Sequence, residues 1–167
     1  QSDVAYLDSW TADAAEQMKI AIDTAILADI YADAHADNKG TTAGRKSGSF
    51  NLGTTGSPVS LDKTNVIDYI ADMATVLQEQ NIPKDKRFIV APAWFTNLIA
   101  KSDLKDASLT GDNTSPIRNS RLGMIYGFEL FESNLVADTT DGANTVSNII
   151  FGQKSALTFA SQLTESE

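Results

Sequence analysis

The sequence contains no cysteine, a single histidine and four prolines in 167 residues. The lack of cysteine excludes disulfide bonds, thiolate metal sites and a cysteine nucleophile. There is no run of about eighteen apolar residues, so no membrane span is predicted. The first residues, 1–4, have neither the basic nor the apolar region of a signal peptide, and none is expected.

Basic residues are also scarce, since 13 lysines and arginines stand against 22 acids and give a net charge of −9. A protein that binds nucleic acid by displacing counterions from phosphates needs clustered lysine and arginine. The local pair Arg45-Lys46 is too small to be such a cluster, so sequence-specific nucleic-acid binding is not expected. The hydrophobic content of 42% is enough for a buried core, and the length fits one domain or one and a half.

The patterns of most enzyme and metal sites are missing. A serine triad would have only His35 as its base, and no Gly-x-Ser-x-Gly motif presents a serine. Asp33, His35 and Asp37 cannot share one face of a helix, because positions i and i+2 point about 200° apart. The glycine-rich run 40–47 has the wrong spacing for a phosphate-binding loop. No catalytic residue, cofactor or metal ligand is predicted. The 22 acids leave one alternative, in which two of them form the carboxylate pair of a glycoside hydrolase, and nothing in the sequence singles out such a pair.

A long helix is predicted from about Asp8 to Ala36, where the chain is rich in alanine and free of glycine and proline. Its apolar residues include Trp10 and several isoleucines. It contains many acids and a single lysine, Lys19. Two interpretations apply to the acidic side: a solvated face of an amphipathic helix, or a charged surface that docks on a neighbouring subunit. His35 is interpreted as a solvated residue at the end of this helix.

Residues 37–60 differ in composition, being rich in glycine, serine and threonine, and are interpreted as a flexible linker with a short hairpin around Phe50 and Leu52. A second helix is predicted from an N-cap at Ser60 to about Gln80. A buried strand over 87–91 and a helix over 93–101 follow. A polar loop over 102–120 then leads to Arg121.

Three apolar blocks in a fixed order then carry a resemblance to a known family. They are Arg87-Phe-Ile-Val-Ala-Pro92, Gly123-Met-Ile-Tyr-Gly-Phe-Glu-Leu-Phe-Glu-Ser-Asn-Leu-Val136 and Asn148-Ile-Ile-Phe-Gly-Gln-Lys-Ser-Ala-Leu-Thr-Phe-Ala160, with a helix, a loop and a hairpin between them. In this order the chain resembles the major capsid proteins of tailed bacteriophages, which share the fold named after phage HK97. The long helix at 9–36 looks like the spine helix of that family.

The resemblance implies an α+β fold with a spine helix and an axial domain of mixed helices and sheet. Residues 1–37 would belong to a peripheral domain, 38–148 to the axial domain, and 149–167 would return to the peripheral domain. The apolar face of the spine helix would then pack on strands within 149–160. Because family members are longer at both ends, the resemblance also implies that the chain is a central fragment.

The function implied by the resemblance is a structural, non-enzymatic subunit of an icosahedral phage head. Such subunits self-assemble into pentamers and hexamers around packaged DNA in the bacterial cytoplasm, with a scaffolding protein and a portal as further partners. Arg118, Arg121 and Trp10 are the candidate subunit contacts, the arginines facing an acidic neighbour. The alternatives are the shell of an encapsulin-like nanocompartment, and a small binding or enzymatic α+β domain.

Overall fold

Residues 2–102 and 124–158 are described by the structure, a computed structural model. Within these ranges the chain has an α+β architecture of three α-helices and six β-strands, and this mixture was predicted from the sequence. The helices are α1 (Ser2–Asp29), α2 (Val66–Glu79) and α3 (Ala93–Lys101). The strands are β1 (Arg87–Ala91), β2 (Met124–Ile125), β3 (Phe128–Glu132), β4 (Asp138–Asp141), β5 (Asn144–Ser147) and β6 (Ile150–Gln153).

Four of the strands form a mixed sheet in the order β2-β3-β1-β6. Strands β1 and β3 are parallel, so the chain between them must cross over, and α3 is part of that connection. The outer pairs β1–β6 and β2–β3 are antiparallel. Strands β4 and β5, which lie between β3 and β6 in the chain, form a separate antiparallel hairpin.

The core lies between one face of this sheet and the helices α2 and α3. The apolar residues of α2 that recur at helical spacing are buried, as the sequence predicts. They meet Phe95 and Ile99 of α3 and Ile89 of β1. The α2 residues in this core are Val66, Ile70, Met73, Ala74 and Leu77.

The N-cap of α2 is Asn65, five residues later than the predicted N-cap, Ser60. The carboxylate of Asp62 accepts hydrogen bonds from the backbone N–H groups of Thr64 (2.7 Å) and Asn65 (3.1 Å), which forms a separate turn before the helix. At the other end, Asn81 takes a left-handed conformation with φ of 57°. The N–H of Ile82 then donates to the Leu77 carbonyl at 3.1 Å, a Schellman ending that closes the helix.

Strand β1 and helix α3 coincide with the predicted strand 87–91 and helix 93–101. The start of α3 is fastened to the segment after β3, because Asn134 Oδ1 accepts a hydrogen bond from the Ala93 N–H at 2.9 Å. The neighbouring Ser133 N–H donates to the Ala91 carbonyl at 2.9 Å. The Ser-Asn pair seen in the sequence therefore joins the strand-to-helix turn to the end of β3.

Helix α1 spans more than seven turns, but its bounds differ from the predicted 8–36. It begins at Ser2, and after Asp29 the chain continues in tighter turns in which the Ala32 N–H donates to the Asp29 carbonyl. The Lys39 ammonium donates to the Ala32 carbonyl at 2.8 Å. These competing hydrogen bonds end the α-helix before residue 36.

The expected packing of α1 on strands within 149–160 is wrong for the described residues. Every side chain from Tyr6 to Ile26 is exposed, so the apolar face of α1 is not buried against a strand. Strand β6 pairs with β1 in the same sheet as β2 and β3. Residues 159–160 lie outside the described part of the chain.

One charged side chain, that of Arg87, lies inside the core with 1% of its surface exposed. Its guanidinium donates to three carbonyl oxygens, those of Ile82 (2.5 Å), Pro83 (2.8 Å) and Ala74 (3.4 Å). It also lies over the Phe128 ring, 6.0 Å from the ring centre. Burial lowers the pKa of Arg87 below its ordinary value.

The substitution Arg87→Met tests the importance of these hydrogen bonds. Methionine fills part of the space but leaves the three carbonyls without a donor, so we expect the free energy of unfolding to fall by about 2–4 kcal/mol. Urea denaturation measures this change. Lys84→Met, at an exposed position three residues away, is the matched control, and a loss of less than about 1 kcal/mol at Arg87 would contradict the assignment.

Candidate assembly surfaces

Three of the four most exposed large apolar side chains of the described residues lie near the start of α1. Tyr6, Leu7 and Trp10 are 70%, 64% and 80% exposed, and together they are called the aromatic patch below. Positions 6 and 10, and positions 7 and 10, are neighbours on one side of a helix. Trp10, predicted as a subunit contact, is therefore free of the chain's own core.

Helix α1 and the turns after it also carry most of the net charge of the protein. Residues 1–37 contain eight of the 22 acids and one of the 13 basic residues, so they account for −7 of the net −9. The single lysine, Lys19, is already paired with Glu16 at 3.0 Å. The helix therefore presents an aromatic patch within a strongly acidic surface.

His35 lies beyond the end of α1 and is exposed, as predicted. Its Nδ1 accepts a hydrogen bond from the Asp37 N–H at 3.2 Å and caps a short 3-10 turn, Ala36–Asn38. Within residues 2–102 and 124–158, no group of three or more histidine, aspartate or glutamate residues is placed to hold a metal ion. None of the helices in those ranges is long and apolar enough to cross a membrane.

Segment 37–60 is folded against α2, which corrects its interpretation as a flexible linker. Ala43 and Phe50 pair as an antiparallel bridge, the hairpin predicted around Phe50, and Ala43 is fully buried. The Tyr69 hydroxyl of α2 donates to the Leu52 carbonyl at 2.9 Å. Burial raises the pKa of Tyr69 to about 12, so this donor keeps its proton at all physiological pH values.

The tip of that hairpin is held by a carboxylate from α2. Glu79 Oε2 accepts hydrogen bonds from the backbone N–H groups of Lys46 (2.8 Å) and Ser47 (3.2 Å). These bonds, with the one to Lys46 the strongest cause, hold the pKa of Glu79 below its ordinary value of 4.5. A negative charge thus fixes a loop that has few apolar contacts of its own.

One end of the four-stranded sheet combines basic and exposed apolar side chains. Lys84 and Lys86 are exposed in the turn before β1, and the Lys154 N–H donates to the Lys86 carbonyl at 3.0 Å. Met124 and Tyr126, at the β2–β3 turn, are 67% and 56% exposed. These five residues are called the basic sheet end below.

The acids at the same end of the sheet offset part of this charge. Glu129 pairs with Lys154 at 2.8 Å, and Asp85 lies between Lys84 and Lys86 in the chain. The Lys154 ammonium also lies 5.4 Å from the centre of the Phe131 ring. Lys84 and Lys86 are the less constrained charges of the basic sheet end.

The turn at the basic sheet end has an unusual backbone. Tyr126 and Gly127, the two residues between β2 and β3, have φ angles of 50° and 83°. Two positive φ angles define a type I′ hairpin turn, in which asparagine rather than tyrosine suits the first position. Sequence reasoning missed this site, although a Tyr-Gly pair between two short strands was a signal for it.

The structure adds a second exposed tryptophan beside the β4–β5 hairpin. Trp94 of α3 is 43% exposed, and its Nε1–H donates to Ser147 Oγ at 3.3 Å. The Ser147 hydroxyl donates in turn to Asp138 Oδ1 at 2.7 Å. The predicted contacts Arg118 and Arg121 lie outside the described residues.

Comparison with known proteins gives one family. A family model described as "Phage capsid protein" matches residues 1–163, nearly the whole chain. No curated protein and no solved structure matches the chain. The match includes α1 with its aromatic patch and extends past β6.

The loop clamped by Glu79 yields a prediction about pH. Because the pKa of Glu79 is lowered in the folded state, its stabilising effect is complete above the ordinary value of 4.5 and is lost as the pH falls through the lowered pKa. We expect Glu79→Gln to be less stable than the native chain near neutral pH, with a difference that shrinks in acid. Urea denaturation at several pH values measures it.

Hydrogen exchange gives a local readout of the same contact. The amides of Lys46 and Ser47 should exchange faster in Glu79→Gln, because the charged acceptor is lost. Glu129→Gln, which changes an exposed carboxylate on β3, is the control. Equal exchange rates at residues 46 and 47 in the native chain and in Glu79→Gln would show that the carboxylate does not hold the loop.

Proposed function

Since the chain belongs to the phage capsid protein family, it is a structural subunit of a phage head shell, and we propose that copies of it assemble into pentamers and hexamers. The match over residues 1–163 carries this conclusion. The free helix α1, with its exposed aromatic patch, supports the proposal, because a subunit of a shell must leave surface for its neighbours.

We propose further that the fold is of the HK97 type. In support, the spine-like helix α1, the segment 37–60, helix α2, the unit β1–α3 and the hairpins follow one another in the expected order. The exposure of α1 argues against the peripheral packing that this fold implies within one chain. The proposed division of the chain is 1–37, 38–148 and 149–167. Strand β6 lies at the start of the last of these parts but pairs with β1 in the axial sheet.

The shell subunit is proposed to enclose DNA without binding it tightly. The net charge of −9 supports this role, because an acidic wall repels packaged phosphates rather than binding them. The chain is assigned to the virion capsid by its family. Assembly in the bacterial cytoplasm, with a scaffolding protein and a portal as partners, belongs to the same proposal.

Contacts between copies are proposed to involve Arg118 and Arg121. These two arginines lie in the polar segment just before β2, and the acidic helix α1 of another copy offers the opposite charge. Trp10 is proposed as an apolar anchor of the same helix, because exposed tryptophans are frequent hot spots of interfaces.

The double substitution Arg118→Glu/Arg121→Glu tests the role of the arginines. We expect it to prevent particle formation in bacteria that express the protein, since two attractive contacts become repulsive in every subunit. Electron microscopy and sedimentation measure particle formation, and thermal unfolding measures stability.

The matched control is Lys63→Glu/Lys101→Glu, which makes the same change of charge at two exposed positions. We expect the control to form particles. The melting temperature of the Arg118→Glu/Arg121→Glu protein should stay within a few degrees of the native value. Normal particles from this protein would show that the two arginines do not mediate assembly.

A further inference from the structure

Within residues 2–102 and 124–158, the aromatic patch has no partner. Trp10 lies twenty residues before Ile30, the first half-buried residue after the end of α1, which is about 30 Å along the helix axis. Glycine and proline are absent between these residues, so the helix has no natural point at which to bend back. The straight helix therefore keeps the aromatic patch away from the core formed by α2, α3 and the sheet.

Two copies of α1 are poorly suited to pair with each other. Each copy brings the charge of −7 carried by residues 1–37, and Lys19 is already occupied by Glu16. Side-by-side packing of two such helices would bring like charges together. The partner of the aromatic patch should therefore be basic or neutral, and should offer apolar surface.

The basic sheet end meets both conditions among the described surfaces. Lys84 and Lys86 supply exposed positive charge, while Met124 and Tyr126 supply exposed apolar surface. The turn and the lysine segment are adjacent, because a Cβ on Gly127 would lie 3.4 Å from the Lys84 carbonyl oxygen. The other basic pair, Arg45-Lys46, lies in the hairpin tip bound by Glu79 and has no exposed large apolar neighbour in that hairpin.

Backbone strain at Tyr126 is a second observation that points to the same place. A non-glycine residue with φ of 50° is uncommon, and such strain persists mainly where the side chain has a role. The ring contributes little to the chain's own core, since it is 56% exposed. A strained turn that holds an aromatic ring in solvent is typical of a binding surface rather than of a stabilising turn.

We propose that the aromatic patch on α1 of one copy docks on the basic sheet end of a neighbouring copy, with Trp10 against Met124 and Tyr126 and the acids of α1 facing Lys84 and Lys86. This inference rests on the proposed function and specifies one of its contacts. The two surfaces are different, so the contact is head-to-tail and each copy can give and receive one helix. Repetition of such a contact closes a ring when the rotation between neighbouring copies divides a full turn, as the proposed pentamers and hexamers require.

A photo-cross-link tests the proposal directly. The full chain with Trp10→p-benzoylphenylalanine is mixed with an isotopically heavy native chain and irradiated, and mass spectrometry locates the acceptor. We expect light-to-heavy cross-links at Met124 or Tyr126. Ala14→p-benzoylphenylalanine, one turn further along α1, is the control and should give fewer of them.

Charge reversal and compensation give an independent test in solution. Lys84→Glu/Lys86→Glu should weaken self-association, measured by sedimentation, about tenfold or more in Kd. Adding Asp13→Lys, a change on the same side of α1 as Trp10, should restore part of the loss. Lys63→Glu/Lys101→Glu is the matched control, with no expected effect beyond a general change in net charge.

Tyr126→Asn separates binding from folding. Asparagine suits the positive φ of this position, so the variant should unfold at the same or a higher temperature than the native chain. Its self-association should nevertheless weaken, because the aromatic ring is lost. A variant that is more stable and associates as well as the native chain would overturn the role of Tyr126.

The outcomes also separate this inference from the proposed function. Cross-links within one chain, cross-links to the 45–46 hairpin tip, or association that ignores the Lys84 and Lys86 reversal would each overturn the docking mode. If particles still form in those cases, the chain's role as a shell subunit stands. A chain that stays monomeric and forms no particles contradicts both.

Discussion

The buried guanidinium of Arg87 is the interaction on which the rest of the described fold depends. A cation at the start of β1 would be costly in the core without partners, and here the three carbonyls and the Phe128 ring supply them. Those partners come from α2, from the turn after it and from β3. One side chain therefore sets the distance between the helix layer and the sheet.

Elements with a strong period and clear end signals were predictable from the sequence. The spacing of Val66, Ile70 and Met73 gave α2, and the run before Pro92 gave β1, because burial on one face requires those periods. The start of α2 was not predictable in the same way. Ser60 is a good cap residue, yet α2 starts after Asn65, because the carboxylate of Asp62 forms a separate turn with Thr64 and Asn65 before the helix.

Segment 37–60 shows why composition misleads. Its glycines and serines predict a flexible linker, yet Ala43 is fully buried and the hairpin tip is held by a carboxylate 32 residues further along the chain. Gly44, with φ of 104°, has no room for a side chain, since a Cβ there would lie 2.6 Å from Ser47 Oγ. Contacts between distant residues decide its conformation, and no local pattern encodes them.

The exposure of α1 divides the described chain into two parts. The sheet with α2 and α3 buries its own apolar residues, whereas α1 leaves its apolar residues from Tyr6 to Ile26 exposed. The sheet, α2 and α3 enclose an apolar core and the buried Arg87, whereas the side chains of Tyr6, Leu7 and Trp10 are exposed to water. Sequence periodicity identified the apolar residues of α1, but periodicity cannot tell whether such a face is covered by the same chain or by another. For a protein of a shell-forming family, the uncovered face and the concentrated negative charge together favour another copy, because attraction between unlike surfaces orders subunits while repulsion between like helices excludes the wrong pairing.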